Sequence, residues 1–389
     1  MKRRALPLSK IFSFVKRYIK DCDKFLWLIT ILCSVYSLLL LGSVSRGGEN
    51  FFNTQLIAVI IGYIGAIVLS AADYRVIAGF WKWIALFSVL IIVYTLIFGI
   101  TIEGSAGVNA KAWITLPGGI TFQPSELVKI CFIITFSKHL SIVKENGNIK
   151  SFKSIMLLCV HAVIPVILTH LQGDDGAAII FFFMFLSMTF AAGVQLRYFI
   201  ALLVTMVIAI PFAWNYLLAD YQKNRIINQF NPESDPLGDG FQQIQGKISI
   251  GSGQIYGKGL FNGRRVLQGS VPVQESDFIF SVAGEELGFI GCILVILLIL
   301  LLLIRAIYIG AKSCDLLGSY ISIGFFGMIA SQAIFNLGMC LSLLPVMGVT
   351  LPFFSAGGSS SACLYFAIGL LQSVYIKRLD TDKAGLSSI

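Results

Sequence analysis

Residues Phe278–Ile304 read FIFSVAGEELGFIGCILVILLILLLLI, an apolar run whose charges are Glu285 and Glu286. A helix rises about 1.5 Å per residue, so about 20 residues cross a hydrocarbon core of roughly 30 Å, and this run exceeds that. Phe25–Val44 has the same character, and further candidate spans lie near 55–72, 80–100, 124–140, 154–170, 175–193, 198–217, 318–340 and 358–376. Within lipid, backbone polar groups can bond only to each other, so such spans must be helices. A membrane β-barrel would show alternating segments of about ten residues, and none is visible. The expected fold is therefore all-α: a polytopic integral membrane protein with about ten transmembrane helices and one long outer loop, 218–277.

Composition agrees. Of 389 residues, 57% are hydrophobic and 13% charged, whereas a soluble domain carries about 25% charged residues. Most of the 29 Lys and Arg residues fall in residues 1–24, around Arg75–Lys82 and Lys138–Lys153, at Arg197, Arg305 and Lys312, and in the tail. The positive-inside rule assigns those segments, and both termini, to the cytoplasm. The expected organisation is a basic cytoplasmic segment (1–24), a single transmembrane domain (25–376) and a cytoplasmic tail (377–389). The net charge of +9 then reads as a topology signal that also attracts anionic membrane lipids, not nucleic acid. No cleavable signal peptide is expected, because Met1-Lys-Arg-Arg leads into a span too long for an h-region. Eight cysteines without a C-x-x-C pair read as small apolar side chains. His139, His161 and His170 lack zinc spacing, so no metal site is expected. There is no P-loop, and Gly104–Gly107 lacks the strand and helix of a dinucleotide site, which argues against ATP-driven transport by this chain.

Chemistry is expected in the outer segments, at charges within spans and at a break near the C-terminus. The outer loop runs through Asp220 to Gln245, a glycine-spaced stretch Gly251–Gly259 and Arg264-Arg265. Loops of this length are usually functional or disordered; its aromatic and aliphatic residues favour a partly helical cap. The loop ends at Val273-Gln-Glu-Ser-Asp-Phe-Ile-Phe280. Asp277 is there either a helix-start residue bonding orphan amides or a general base with a pKa raised by burial. A charge inside a span costs about 2.5 kcal/mol or more at the helix centre. Glu126 and Lys129, three apart on one helical face, can pair, as a structural clasp or as part of a site. Asp174 and Asp175 occupy a short outer turn, open to both readings. Glu285 and Glu286 fall about two turns into their span, and at least one should face protein. Leu344–Ser361 interrupts apolar sequence with two prolines and three glycines. Irregular backbone at membrane depth suits a transporter gate or the wall of a polymerase site.

Several of these strings carry a resemblance: Phe122-Gln-Pro-Ser-Glu-Leu-Val-Lys129, Asn231-Pro-Glu-Ser-Asp-Pro-Leu-Gly238, Ile250-Gly-Ser-Gly253 with Gly257-Lys-Gly259, Ser276–Gly288, Asn336-Leu-Gly-Met339 and Pro345–Ser359. In this order, over residues 25–376, the chain resembles the SEDS family (shape, elongation, division and sporulation), and its RodA branch more than its FtsW branch. The resemblance implies a peptidoglycan glycosyltransferase that polymerises lipid II outside the bacterial cytoplasmic membrane, for elongation and shape, beside a class B penicillin-binding protein. It places the family's essential aspartate on Asp277, and polar positions around a central cavity on Glu126, Lys129 and Asp174. For the leaving pyrophosphate, the outer-loop cations Lys111, Arg225 and Lys258 are candidate contacts, with Trp113 as a substrate-binding residue; a divalent cation could share that role. Three departures stand out. Ala112 precedes Trp113 where the family usually has Arg, Gln172-Gly-Asp-Asp-Gly176 replaces Gln-Pro-Asp-Leu-Gly, and Ala356 stands where Tyr is common. Two rival expectations are a lipid II flippase, which needs polar groups across the whole bilayer, and a non-catalytic scaffold, which would tolerate Asp277→Asn.

Overall fold

The computed structural model describes residues 18–48, 50–103, 109–115, 121–230 and 239–383. The Asn231–Gly238 string, Gly104–Gly107, and parts of the 1–24 and 377–389 segments lie outside the described residues. The long helices are α1 (Lys24–Val44), α2 (Phe51–Ala71), α3 (Trp81–Phe98), α4 (Pro124–Glu145), α5 (Phe152–Leu171), α6 (Asp175–Ala192) and α7 (Leu196–Phe212). Two shorter ones follow, α8 (Asp220–Phe230) and α9 (Asp239–Ser252), then α10 (Ile279–Ala311), α11 (Leu316–Cys340) and α12 (Gly358–Lys383). Among the described residues nine helices are long and apolar enough to cross a membrane. α4 is not apolar enough to count with them, but its 22 residues cover about 33 Å, long enough for a tenth span, and its charges are accommodated because it packs inside the bundle, with most of its residues buried.

Local chemistry sets the helix starts. Asp23 accepts the amides of Phe25 and Leu26 at 3.1 Å, and Asp315 accepts that of Gly318 at 2.7 Å, satisfying donors that have no partner within the helix. Pro124 occupies the first turn of α4, where its missing N–H is no loss. Small residues bring α2 and α12 together: a Cβ on Gly369 would lie 2.6 Å from the Ala66 carbonyl, and one on Gly62 would lie 2.4 Å from the Tyr365 ring. This is the close backbone approach that holds helices together in lipid, where burial of apolar surface offers little. By contrast, α7 has no buried residue and meets α6 through the Phe199 ring, 5.9 Å from that of Phe190.

α10 is broken. Its 33 residues would run about 50 Å, but Gly288 adopts φ 66°, ψ −160°. The amides of Phe289 and Ile290 go instead to the carbonyls of Gln254 (2.8 Å) and Ile255 (3.3 Å). The amides of Lys258 and Gly259 reach the Glu285 and Glu286 carbonyls, each at 3.0 Å. The stretch Gln254–Gly259 is thus stitched into the break, and backbone groups that could not stay unpaired are satisfied. Glu285 and Glu286 are both fully buried, where the sequence required only one to face protein.

The end of the bundle that holds Asp277 carries a cap. α8 and α9 form most of it, in keeping with the partly helical loop expected. The sequence reading missed one part, a small antiparallel sheet of β1 (Ile100–Glu103), β2 (Asn109–Thr115) and β3 (Thr121–Phe122) in the order β1-β2-β3. Its register pairs Ile100 with Trp113 and Ile114 with Phe122; strands this short give too few alternations for a period-two signal.

Candidate active site

Asp277 lies just before α10 but does not cap it. Phe278 holds the N-cap position, and no side chain bonds there. The Asp277 carboxylate instead accepts Ser276 Oγ at 3.1 Å and faces a cavity of about 570 Å³ at the capped end. That volume suits a small-molecule group. Lining it are Trp113 from β2, Asp174 from the start of α6, Arg225 from α8, Gln55 from α2 and Ser360 from α12.

The backbone beneath Asp277 is fixed from two sides. Asn336, fully buried on α11, donates to the Asp277 carbonyl at 2.8 Å and to the Val349 carbonyl at 2.7 Å. Ser355 Oγ donates to the Ser276 carbonyl, and the Ala356 amide to that of Glu275 at 2.7 Å. The Pro345–Ser359 segment is therefore a wall clamped to the turn that bears Asp277. Gly176 of α6 fits against the same wall, because a Cβ there would come within 2.7 Å of the Met347 carbonyl.

Burial pushes the Asp277 carboxyl up to about 6; Glu275 adds to the rise, while Ser276 and the Arg225 guanidinium oppose it. A carboxylate with that value can hold or release a proton near neutral pH, as a general base must. Asp174 is also raised by burial, against the pull of the Ala177 amide and Lys129. Its Oδ1 accepts that amide at 2.9 Å, while Oδ2 accepts Gln123 Nε2 at 2.7 Å and Ser125 Oγ at 3.3 Å. Glu126 and Lys129 form a buried ion pair at 2.8 Å, close enough to Asp174 to act on it electrostatically.

The structure thus brings together Trp113, Asp174, Arg225 and Asp277 around one cavity, with Glu126 and Lys129 beside Asp174. It does not bring Lys111 or Lys258 to that lining. The Lys111 side chain is exposed on β2, and Lys258 Nζ sits 2.8 Å from Glu285 Oε1. Sequence reasoning gave no individual role to Gln55, Asn336 or Ser360, although Asn336 opens one of the family strings and Ser360 lies in the Leu344–Ser361 break. Gln55 was detectable as a polar residue in an otherwise apolar span; the strings holding Asn336 and Ser360 were visible, but not what these two side chains contact. Among the described residues no group of three or more His, Cys, Asp or Glu side chains gathers as metal ligands.

A sequence profile described as cell cycle protein, for FtsW, RodA and SpoVE, matches residues 22–379. The chain belongs to that family. Within the FtsW/RodA/SpoVE family, peptidoglycan glycosyltransferase MrdB of Escherichia coli K12 is 30% identical over 362 residues, covering 93% of this chain and 95% of its own. A solved chain from work on structural coordination of polymerization and crosslinking by a peptidoglycan synthase complex superposes with a TM-score of 0.78 at 27% identity, over 92% of this chain and 98% of that one. The crystal structure of the Thermus thermophilus rod shape determining protein RodA gives a TM-score of 0.68 at 26% identity, over 92% and 97% of the two chains. The resemblance read from the motifs is thus a family membership spanning nearly the whole chain.

Proposed function

We infer that this chain is a peptidoglycan glycosyltransferase that polymerises lipid II. The observation that carries the reading is a raised carboxylate, Asp277, facing Arg225 across a cavity at one end of a membrane bundle. In this mechanism Asp277 takes the proton from the C4 hydroxyl of the acceptor sugar as that oxygen attacks C1 of the donor. The bond from C1 to the pyrophosphate oxygen breaks, and undecaprenyl pyrophosphate leaves with the electron pair. General-base help is commonly worth about 10²–10⁴ in rate, so positioning by Asn336 and the 345–359 wall supplies much of the rest. Arg225 stabilises the charge growing on the leaving oxygen, and Trp113 and Asp174 border the sugars. A divalent cation would enter with the substrate's pyrophosphate.

Polymerisation is favoured over flipping because Glu126, Lys129, Asp174, Asp277, Glu285 and Glu286 all lie toward the capped end. A flippase needs such groups along the whole path. The basic segments at the opposite end support a bacterial cytoplasmic membrane protein with both termini cytoplasmic and the cap outside. The likeness to a chain of a peptidoglycan synthase complex supports a class B penicillin-binding protein as partner, and the likeness to a rod shape determining protein supports a role in elongation.

The test is glycan polymerisation from purified lipid II by wild type and Asp277→Asn, beside a class B penicillin-binding protein whose own crosslinking is blocked. Polymer from wild type and none from folded Asp277→Asn is expected. Absence of polymer from wild type would sink the reading, and equal polymer from both would discard Asp277 as the base.

A further inference from the structure

Asp175 opens α6 beside Asp174, and its contacts reach two other elements. Asp175 Oδ1 lies 2.6 Å from His170 Nδ1 at the end of α5. Its Oδ2 accepts Gln222 Nε2 of the cap helix α8 at 2.8 Å. The Gln222 amide is oriented unambiguously, because its Oε1 accepts the Ala219 amide at 3.1 Å; turned over, it would set an oxygen against a carboxylate.

Gln222, Arg225 and Gln229 recur at steps of three and four, so they share one stripe of α8. Each end of that stripe is fastened. Gln229 Nε2 donates to the Ser342 carbonyl at 2.7 Å and its Oε1 accepts Gln243 Nε2 at 2.8 Å, while Gln222 is held by Asp175. Arg225, between them, lines the cavity with Asp277 and acts on its charge. A surface helix of 11 residues is short of the length that is stable alone, about 12–15 residues. Its placement therefore depends on such ties.

We propose that Asp175 is a positioning residue: with His170 on one oxygen and Gln222 on the other, it sets the cap helix α8 so that Arg225 faces Asp277. Asp175 does no bond-making itself. It fixes how far from the reacting centre the Arg225 charge sits. The proposal rests on the polymerase reading for its kinetic arm only.

The experiment compares Gln222→Leu, Asp175→Leu and Asp175→Asn in the full chain with its penicillin-binding partner. Amide hydrogen exchange over Asp220–Phe230 is expected to quicken in both leucine variants while α10 and α11 stay as in wild type. Polymerisation kcat is expected to fall about tenfold, the scale of one hydrogen bond to a charged group, with KM for lipid II near wild type. Asp175→Asn, whose amide oxygen still accepts Gln222, is expected to keep most of the rate. In an Arg225→Ala background Gln222→Leu is expected to cost nothing further, because the tie acts through that guanidinium. Unchanged exchange in α8, or a loss that multiplies with Arg225→Ala, would overturn the proposal. A wild type that makes no polymer would count against the polymerase reading alone, since the exchange result stands without it.

Discussion

The side-chain amide of Asn336 holds the backbone carbonyl of Asp277 at 2.8 Å and, with its other hydrogen, that of Val349 at 2.7 Å. One buried side chain thereby fixes the spacing between the turn bearing the carboxylate and the 345–359 wall. Replacing it with leucine takes the Asn336 donor from the Val349 carbonyl and leaves that of Asp277 only the weak Cys340 thiol at 3.4 Å, at about 1–3 kcal/mol for a buried group left unpaired. We expect Asn336→Leu to lower the unfolding midpoint in detergent. It should also cut polymerisation by roughly 10²-fold, since misplacement by about 1 Å can cost that much.

The raised pKa of Asp277 gives a pH dependence with a definite sign. The general base must be ionised, so kcat/KM should rise through pH about 6. Arg225 pulls that value down. Arg225→Ala should therefore move the acid limb to higher pH as well as slow the reaction.

Stability should run the other way. A carboxyl whose folded value lies above its unfolded one binds more protons in the folded state, so stability falls as pH rises from about 4 to about 6. Asp277→Asn removes that cost. The dead variant is expected to melt above wild type at pH 7, with the gap closing toward pH 4.

Lys258 and Glu285 separate a structural cation from a substrate-binding one. Glu285 is fully buried, with Lys258 and the Arg265 amide as its partners. Lys258→Met leaves the carboxylate uncompensated. Removing one partner of a buried pair costs about 3–5 kcal/mol, and a lysine one-third exposed should give roughly half of that. Glu285→Gln in the same chain should restore the midpoint. If Lys258 instead bound pyrophosphate, the single variant would raise KM for lipid II and the second change would not repair it.

Gly348 lines the cavity at φ +66°, and a Cβ there would sit 3.8 Å from Asp277 Oδ2. Gly348→Ala should cost about 1–2 kcal/mol for the left-handed backbone. It should also slow catalysis by placing a methyl against the base, which a rate measurement beside a melting curve would resolve.

The helical membrane fold was legible because runs such as Phe278–Ile304 have one physical interpretation at that length. Asp277, Asp174 and the Glu126–Lys129 pair were legible as costly charges at or inside spans. The role of Lys258 was not, because its partner Glu285 lies 27 residues away in sequence. The contacts of Asn336 are also long-range and leave no local pattern. Asp175 showed as a carboxylate in a short outer turn and a departure from a motif, but not as a partner of Gln222, 47 residues away. In each case pairing across the fold decided what the side chain does, and periodicity does not record pairing.

The break at Gly288 has a consequence for biosynthesis. Its open amides are taken by the carbonyls of Gln254 and Ile255, and its open carbonyls by the amides of Lys258 and Gly259, residues that the ribosome makes first. When the broken helix is made, the segment that completes it has already been synthesised, roughly thirty residues earlier in the chain, so the closure entropy of bringing the two together is modest. The order of manufacture matches the order of need, so a helix that could not complete its own hydrogen bonds need never wait in lipid with them open.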